Sequence, residues 1–212
     1  MGGGGRIGGG GGGRSAGPSP WARERFGEHA AALAATVPVR LARAHARART
    51  THEAAGLRKR GPYGDVLAEA VREELAEQSL ALGGAVRELR GFSYAVINDH
   101  ALFPYRYANR PLPLGRARLP ARTSQLRRRM FAAHGPEPDE GLFPLDETLT
   151  GDAYEQLHEA FEELGSSTTL VSVFYTADVE HGVHTAYWGD ARLEPDRTFT
   201  WSHVERLPNV AA

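Results

Sequence analysis

Three features of the 212-residue sequence predict an α+β domain, a helical N-terminal half packed on a mainly antiparallel sheet of about five strands. Apolar residues recur every three to four positions between residues 21 and 82. From residue 92 the repeat shortens to two. Near the C-terminus three strand candidates, 168–177, 183–188 and 198–204, are joined by short loops rich in Asp, Glu, Gly and Pro, as in an antiparallel meander.

Eleven of the first 17 residues are glycine, against 14 in the other 195. A chain of that kind cannot offset its ordering entropy, so residues 1–20 are expected to be a disordered tail and 21–212 a single domain. The tail contains G-x-G-x-x-G, but no strand leads into it and no helix opens on it, which removes the dinucleotide reading. It holds no charged-then-apolar leader, and Arg6 departs from the Ser or Thr of a myristoylation signal.

Segments 21–35 and 37–56 read as helices. Val37, Leu41, Ala44 and Ala48 fall on one face, with Arg40, Arg43 and Arg47 on another. That arginine stripe is expected to be a solvated face, or an extension of a basic surface. Gly61-Pro62-Tyr63-Gly64 reads as a turn, and Asp65 as the N-cap of a helix through Leu82. Val66, Leu67, Ala70, Val71 and Leu75 form its apolar side, and Gly83-Gly84 ends it. Residues 92–97 and 101–107 alternate around Asn98-Asp99 and predict a hairpin. Pro104 lacks a backbone donor, which places the second strand at a sheet edge or a bulge. Thr123 can cap a short helix to His134, and Asp152 with Glu155 begins another that ends at Gly165.

Composition removes several functions. There is no cysteine, hence no disulfide, zinc–thiolate site, iron–sulfur cluster or thiol nucleophile. The only lysine is Lys59, in a context that fits neither a phosphate loop nor a kinase strand. No G-x-S-x-G or H-E-x-x-H occurs, no apolar run is long enough to span a membrane, and no cofactor is implied.

The net charge of -1 conceals two opposed halves. Residues 1–130 hold 22 of the 25 basic and 10 of the 26 acidic residues, a net +12, and residues 131–212 carry the balancing -13. The 24 arginines also fit the coding bias of a G+C-rich bacterial genome, but that bias does not cluster them. Between His100 and Pro136 stand Arg106, Arg110, Arg116, Arg118, Arg122, Arg127, Arg128 and Arg129, with no acidic residue. Tyr105 and Tyr107 flank Arg106 and share a strand face, a pattern suited to stacking unpaired bases beside phosphate-binding cations.

These residues lead to the expectation of a non-catalytic, cytoplasmic domain that binds DNA, RNA or another polyanion through a central arginine-rich surface. A second reading is a protein–protein adaptor or homo-oligomer with complementary charge blocks. Residues 137–163 carry ten carboxylates and no Lys or Arg, and could neutralise the arginines within the chain or between chains. A third reading is a divalent-metal-dependent hydrolase or nuclease at the 178–190 hairpin, with His181, His184 and Asp190 as ligands. His100 and His203 read as turn or packing residues. Phe174, Tyr175, Trp188, Phe199 and Trp201 read as core.

Overall fold

Ser19 starts the first helix by accepting the Ala22 N–H on its hydroxyl (3.0 Å), and Pro20 follows where a missing donor is harmless. In the computed structural model, which describes residues 17–89, 92–120, 128, 130, 131 and 167–208, this helix is α1 (Pro20–Phe26). A 3₁₀ turn, Gly27–His29, leads to α2 (Ala30–Ala55), and α3 (Gly61–Ala81) returns against it. The sheet comprises β1 (Ala85–Leu89), β2 (Phe92–Ile97), β3 (His100–Ala108), β4 (Thr169–Asp178), β5 (Gly182–Leu193) and β6 (Phe199–Arg206). Their spatial order is their chain order, and every pairing is antiparallel except β3 with β4. The α+β expectation holds, with six strands in place of about five.

The helical half breaks at Gly27 and not between residues 35 and 37. Gly27 has φ +56, outside the right-handed helix, whereas Pro38 sits buried inside α2. A proline there removes one helical hydrogen bond and crowds the carbonyl four residues back, and the helix continues because both sides of the proline pack. Leu33, Val37, Leu41, Ala44 and Ala48 are fully buried. α3 also starts four residues before Asp65: Gly61-Pro62-Tyr63-Gly64 is its first turn, which tolerates proline.

In the sheet, Asn98 and Asp99 both have positive φ (48° and 57°), the two-residue turn expected between β2 and β3. Pro104 departs from expectation, since β3 lies inside the sheet. After a two-residue turn His100 directs its backbone polar groups toward β2, and alternation aims position 104 the same way. The β2–β3 ladder has already ended at Val96↔Ala101, so the missing N–H leaves no bond unmade. β1 was not expected at all.

Two apolar layers enclose the sheet. The helices cover one face, where Trp21, Phe26, Leu41, Leu67, Val173, Tyr175 and Trp188 pack. Tyr94, Phe103, Tyr105, Leu119, Met130, Phe131, Phe174 and Phe199 fill the other. Phe174, Tyr175, Trp188 and Phe199 are buried as expected, and Trp201 is half-buried. The parallel β3–β4 pair requires a long crossover, 109–168, of which a large part lies outside the described residues. Residues 128, 130 and 131 are helical. The rest of the expected 123–134 helix, the helix from Asp152, the acidic block 137–163 and tail residues 1–16 lie outside the described residues. Among those described, no helix is long and apolar enough to cross a membrane.

Candidate functional site

Parallel strands finish at the same end of a sheet. β3 and β4 stay paired as far as Ala108↔Thr176, past a register shift between Arg106 and Ala108, so the residues after Ala108 and the β4–β5 turn share one end. The first turn of α3 reaches it too, because the Tyr63 hydroxyl donates to the Asp178 carbonyl (3.0 Å).

Asp178 organises the turn. Its Oδ1 accepts the N–H groups of Glu180 (2.8 Å) and His181 (2.7 Å). Its Oδ2 lies 2.9 Å from His184 Nε2 and 3.2 Å from His181 Nδ1. Burial pushes the Asp178 carboxyl upward, but the hydrogen bonds from His181, His184 and Glu180 outweigh it and hold the pKa at about 2. Ligand atoms of Asp178, Glu180 and His181 all lie within 4.8 Å of one another, the spacing of groups that share one metal ion. Glu180 also pairs with Arg60.

A second hydrogen-bonded chain runs behind the hairpin. Tyr63 is 2% exposed, and its hydroxyl carries one hydrogen, given to the Asp178 carbonyl. The 2.9 Å contact with His45 Nδ1 is therefore donated by the imidazole. That assignment fixes the tautomer and leaves a lone pair on Nε2. Burial, reinforced by Arg49 and partly opposed by Asp178, lowers the His45 pKa and keeps the ring neutral at pH 7. Tyr63 itself is pushed up to about 12, first by burial, against the pull of Arg106 and with help from Asp178 and Glu180.

A cavity of about 130 Å³ separates α2 from the hairpin, with Pro38, His45 and Arg49 on one wall and Glu180, His181 and Gly182 on the other. Gly182 has φ +79, and a Cβ there would come within 3.2 Å of the His45 ring. Glycine thus suits the turn and keeps His45 uncrowded.

The described members of the predicted arginine cluster do not share one surface. Arg106 projects to the helix side, where its guanidinium lies 5.8 Å from the Tyr63 ring centre and against Gly64. Tyr105 and Tyr107 face the opposite layer, and their hydroxyls donate to the carbonyls of Arg118 (2.6 Å) and Leu112 (2.8 Å). At 7% exposure Tyr105 offers no stacking platform. Arg110 is exposed two residues past β3, at the hairpin end. Arg116 ends the 3₁₀ turn Leu114–Arg116 and Arg118 follows it toward the opposite end, where Arg118 bridges Thr198 and faces Asp196 (3.7 Å). Arg128 is exposed on its helix, and Arg122, Arg127 and Arg129 lie outside the described residues.

Of the expected metal ligands, His181 and His184 both meet Asp178, but Asp190 is elsewhere. It is six residues along β5 from His184, about 20 Å, and buried. Its Oδ2 accepts from Trp21 Nε1 (2.8 Å) and Arg25 (2.9 Å), which fastens α1 to the sheet. The arginine stripe of α2 is not a free basic face either. Arg40 (3.0 Å), Arg43 (3.5 Å) and Arg47 (3.4 Å) all pair with the buried carboxylate of Glu74 on α3. His203 stacks on Trp21 with ring centres 4.6 Å apart, and His100 closes the Asn98-Asp99 turn, both packing roles as expected.

Sequence reasoning missed His45 and Tyr63. A lone histidine in an Ala- and Arg-rich helix carries no signal; its partner Tyr63 is 18 positions away, and the partner of Tyr63, Asp178, is a further 115. Arg58, Lys59 and Arg60 form the only run of three consecutive basic residues besides Arg127–Arg129, and that run was the available hint. No known protein family, characterised protein or solved structure matches this chain.

Proposed function

We propose that the domain binds nucleic acid, or a polyanion of the same charge spacing, at the hairpin end of its sheet, without catalysing a reaction on it. One observation carries the reading: the topology gathers Arg58, Lys59, Arg60 and Arg110 around the β4–β5 turn, although they come from two distant segments. Arg58 and Lys59 are exposed and have no ion-pair partner among the described residues. The positive end of α3 points the same way, since its first turn meets the hairpin through Tyr63. With Tyr105 and Tyr107 tied into the fold, contact rests on phosphate and not on base stacking, so little sequence preference is expected.

Anisotropy of labelled single- and double-stranded DNA and RNA, read across a salt series, tests this. Four cations on duplex phosphates give a slope of log affinity against log salt of about -3.6. Absence of binding at low salt removes the proposal.

A further inference from the structure

We propose that the β4–β5 hairpin holds a divalent transition-metal ion through Asp178, Glu180 and His181, with an open coordination position toward the cavity beneath α2. The site differs from the one expected from sequence, because Asp190 is committed to Trp21 and Arg25 and two carboxylates of the turn replace it.

The ligand set is one imidazole and two carboxylates, which suits zinc, cobalt or manganese over calcium. Tetrahedral bonds of about 2.0–2.1 Å put neighbouring ligand atoms about 3.4 Å apart. His181 Nδ1 already stands 3.2 Å from both Asp178 oxygens, so these two ligands need move only a few tenths of an ångström, while Glu180, whose ligand atom lies within 4.8 Å of theirs, closes in by rotating its exposed side chain. His184 Nε2, 2.9 Å from Asp178 Oδ2, holds the carboxylate in orientation, as residues one shell out from a metal commonly do. Glu180 and His181 also line the cavity, so a fourth position opens into it. The opposite wall presents the His45 Nε2 lone pair, fixed by the Tyr63 hydroxyl, as an acceptor for a water or hydroxyl on the ion.

Arg60 works against the ion. Its guanidinium sits on Glu180, so binding must displace it and overcome its charge. Removing it should therefore tighten binding, which no purely structural role for the cluster predicts. The inference does not depend on nucleic-acid binding, since the ion alone is the probe.

Cobalt(II) titration of the full chain, followed by visible absorption with zinc as competitor, provides the test. The expected result is saturation at one ion per chain, with d–d bands stronger than those of hydrated cobalt and displacement by zinc. Glu180→Gln and His181→Ala should each weaken binding about 10-fold or more while circular dichroism stays unchanged. Arg60→Ala should strengthen it several-fold, and Asp190→Ala should leave it alone wherever that variant folds. No saturation in the millimolar range, or equal binding by Glu180→Gln and His181→Ala, overturns the site. Unchanged or weaker binding by Arg60→Ala overturns the ligand role of Glu180.

Discussion

Removing one oxygen atom tests the arrangement behind the hairpin. In Tyr63→Phe the ring stays, so no large cavity forms, and only the two bonds of the hydroxyl disappear. One reaches the Asp178 carbonyl at 3.0 Å and the other His45 Nδ1 at 2.9 Å. Each is worth about 1 kcal/mol net, and a partner left shielded from water adds to the loss. Tyr63 is buried while His45 borders the cavity, where water can replace one bond but not readily both. The expected loss is about 2 kcal/mol in urea unfolding, with an unchanged denaturant slope. A second readout follows from the same atoms. Long-range proton–nitrogen spectra should show His45 protonated on Nδ1 in the native protein and released from that tautomer in the variant. A loss below about 0.5 kcal/mol, or a native His45 protonated on Nε2, would refute the hydrogen-bond assignment.

Three further outcomes follow from particular contacts. Glu74→Ala leaves Arg40, Arg43 and Arg47 without their shared buried partner and should cost about 3 kcal/mol, whereas reversing the exposed pair Arg49–Glu53 should change stability by less than about 0.5 kcal/mol. Asp190→Ala frees Trp21 and Arg25, so Trp21 fluorescence should shift to the red and α1 should become accessible to protease before the sheet unfolds. Asp178 has a folded pKa of about 2, below its ordinary 3.8, so its contribution is present above the unfolded value and is lost as pH falls from about 4 through 2. That contribution is about 2 kcal/mol, and Asp178→Asn should flatten the acid limb of stability against pH, an effect absent if the turn bonds are not formed.

Local periodicity made much of the fold legible. The apolar faces of α2 and α3 follow from helical spacing, and Asn98-Asp99 fixes the β2–β3 hairpin because both positions require positive φ. What escaped was non-local or too short to carry a period. β1 has five residues, Ala-Val-Arg-Glu-Leu, which suit a helix as well as an edge strand, and its pairing with β2 decides the matter. The parallel β3–β4 contact joins segments separated by some sixty residues, and no local signal specifies such a partner. Pro104 misled because a proline reads as an edge only when its missing donor faces a neighbour, and here β2 has already diverged. The hairpin histidines were visible as residue types, yet Asp178 rather than Asp190 binds them, since a six-residue advance along a strand carries a side chain far out of reach. The arginine cluster was contiguous in sequence, but β3 alternation and the 3₁₀ turn split its described members between two ends and two faces.

The most direct measurement compares charge reversal at the two ends of the sheet. Arg58→Glu with Lys59→Glu alters exposed cations beside the hairpin that have no ion-pair partner among the described residues, and Arg116→Glu with Arg118→Glu alters the far end. Binding to labelled duplex at low salt should weaken about 100-fold in the first pair and less than about threefold in the second, with the salt slope reduced by about 2 only in the first. Equal losses in both pairs, or a larger loss at Arg116 and Arg118, would contradict recognition at the hairpin end.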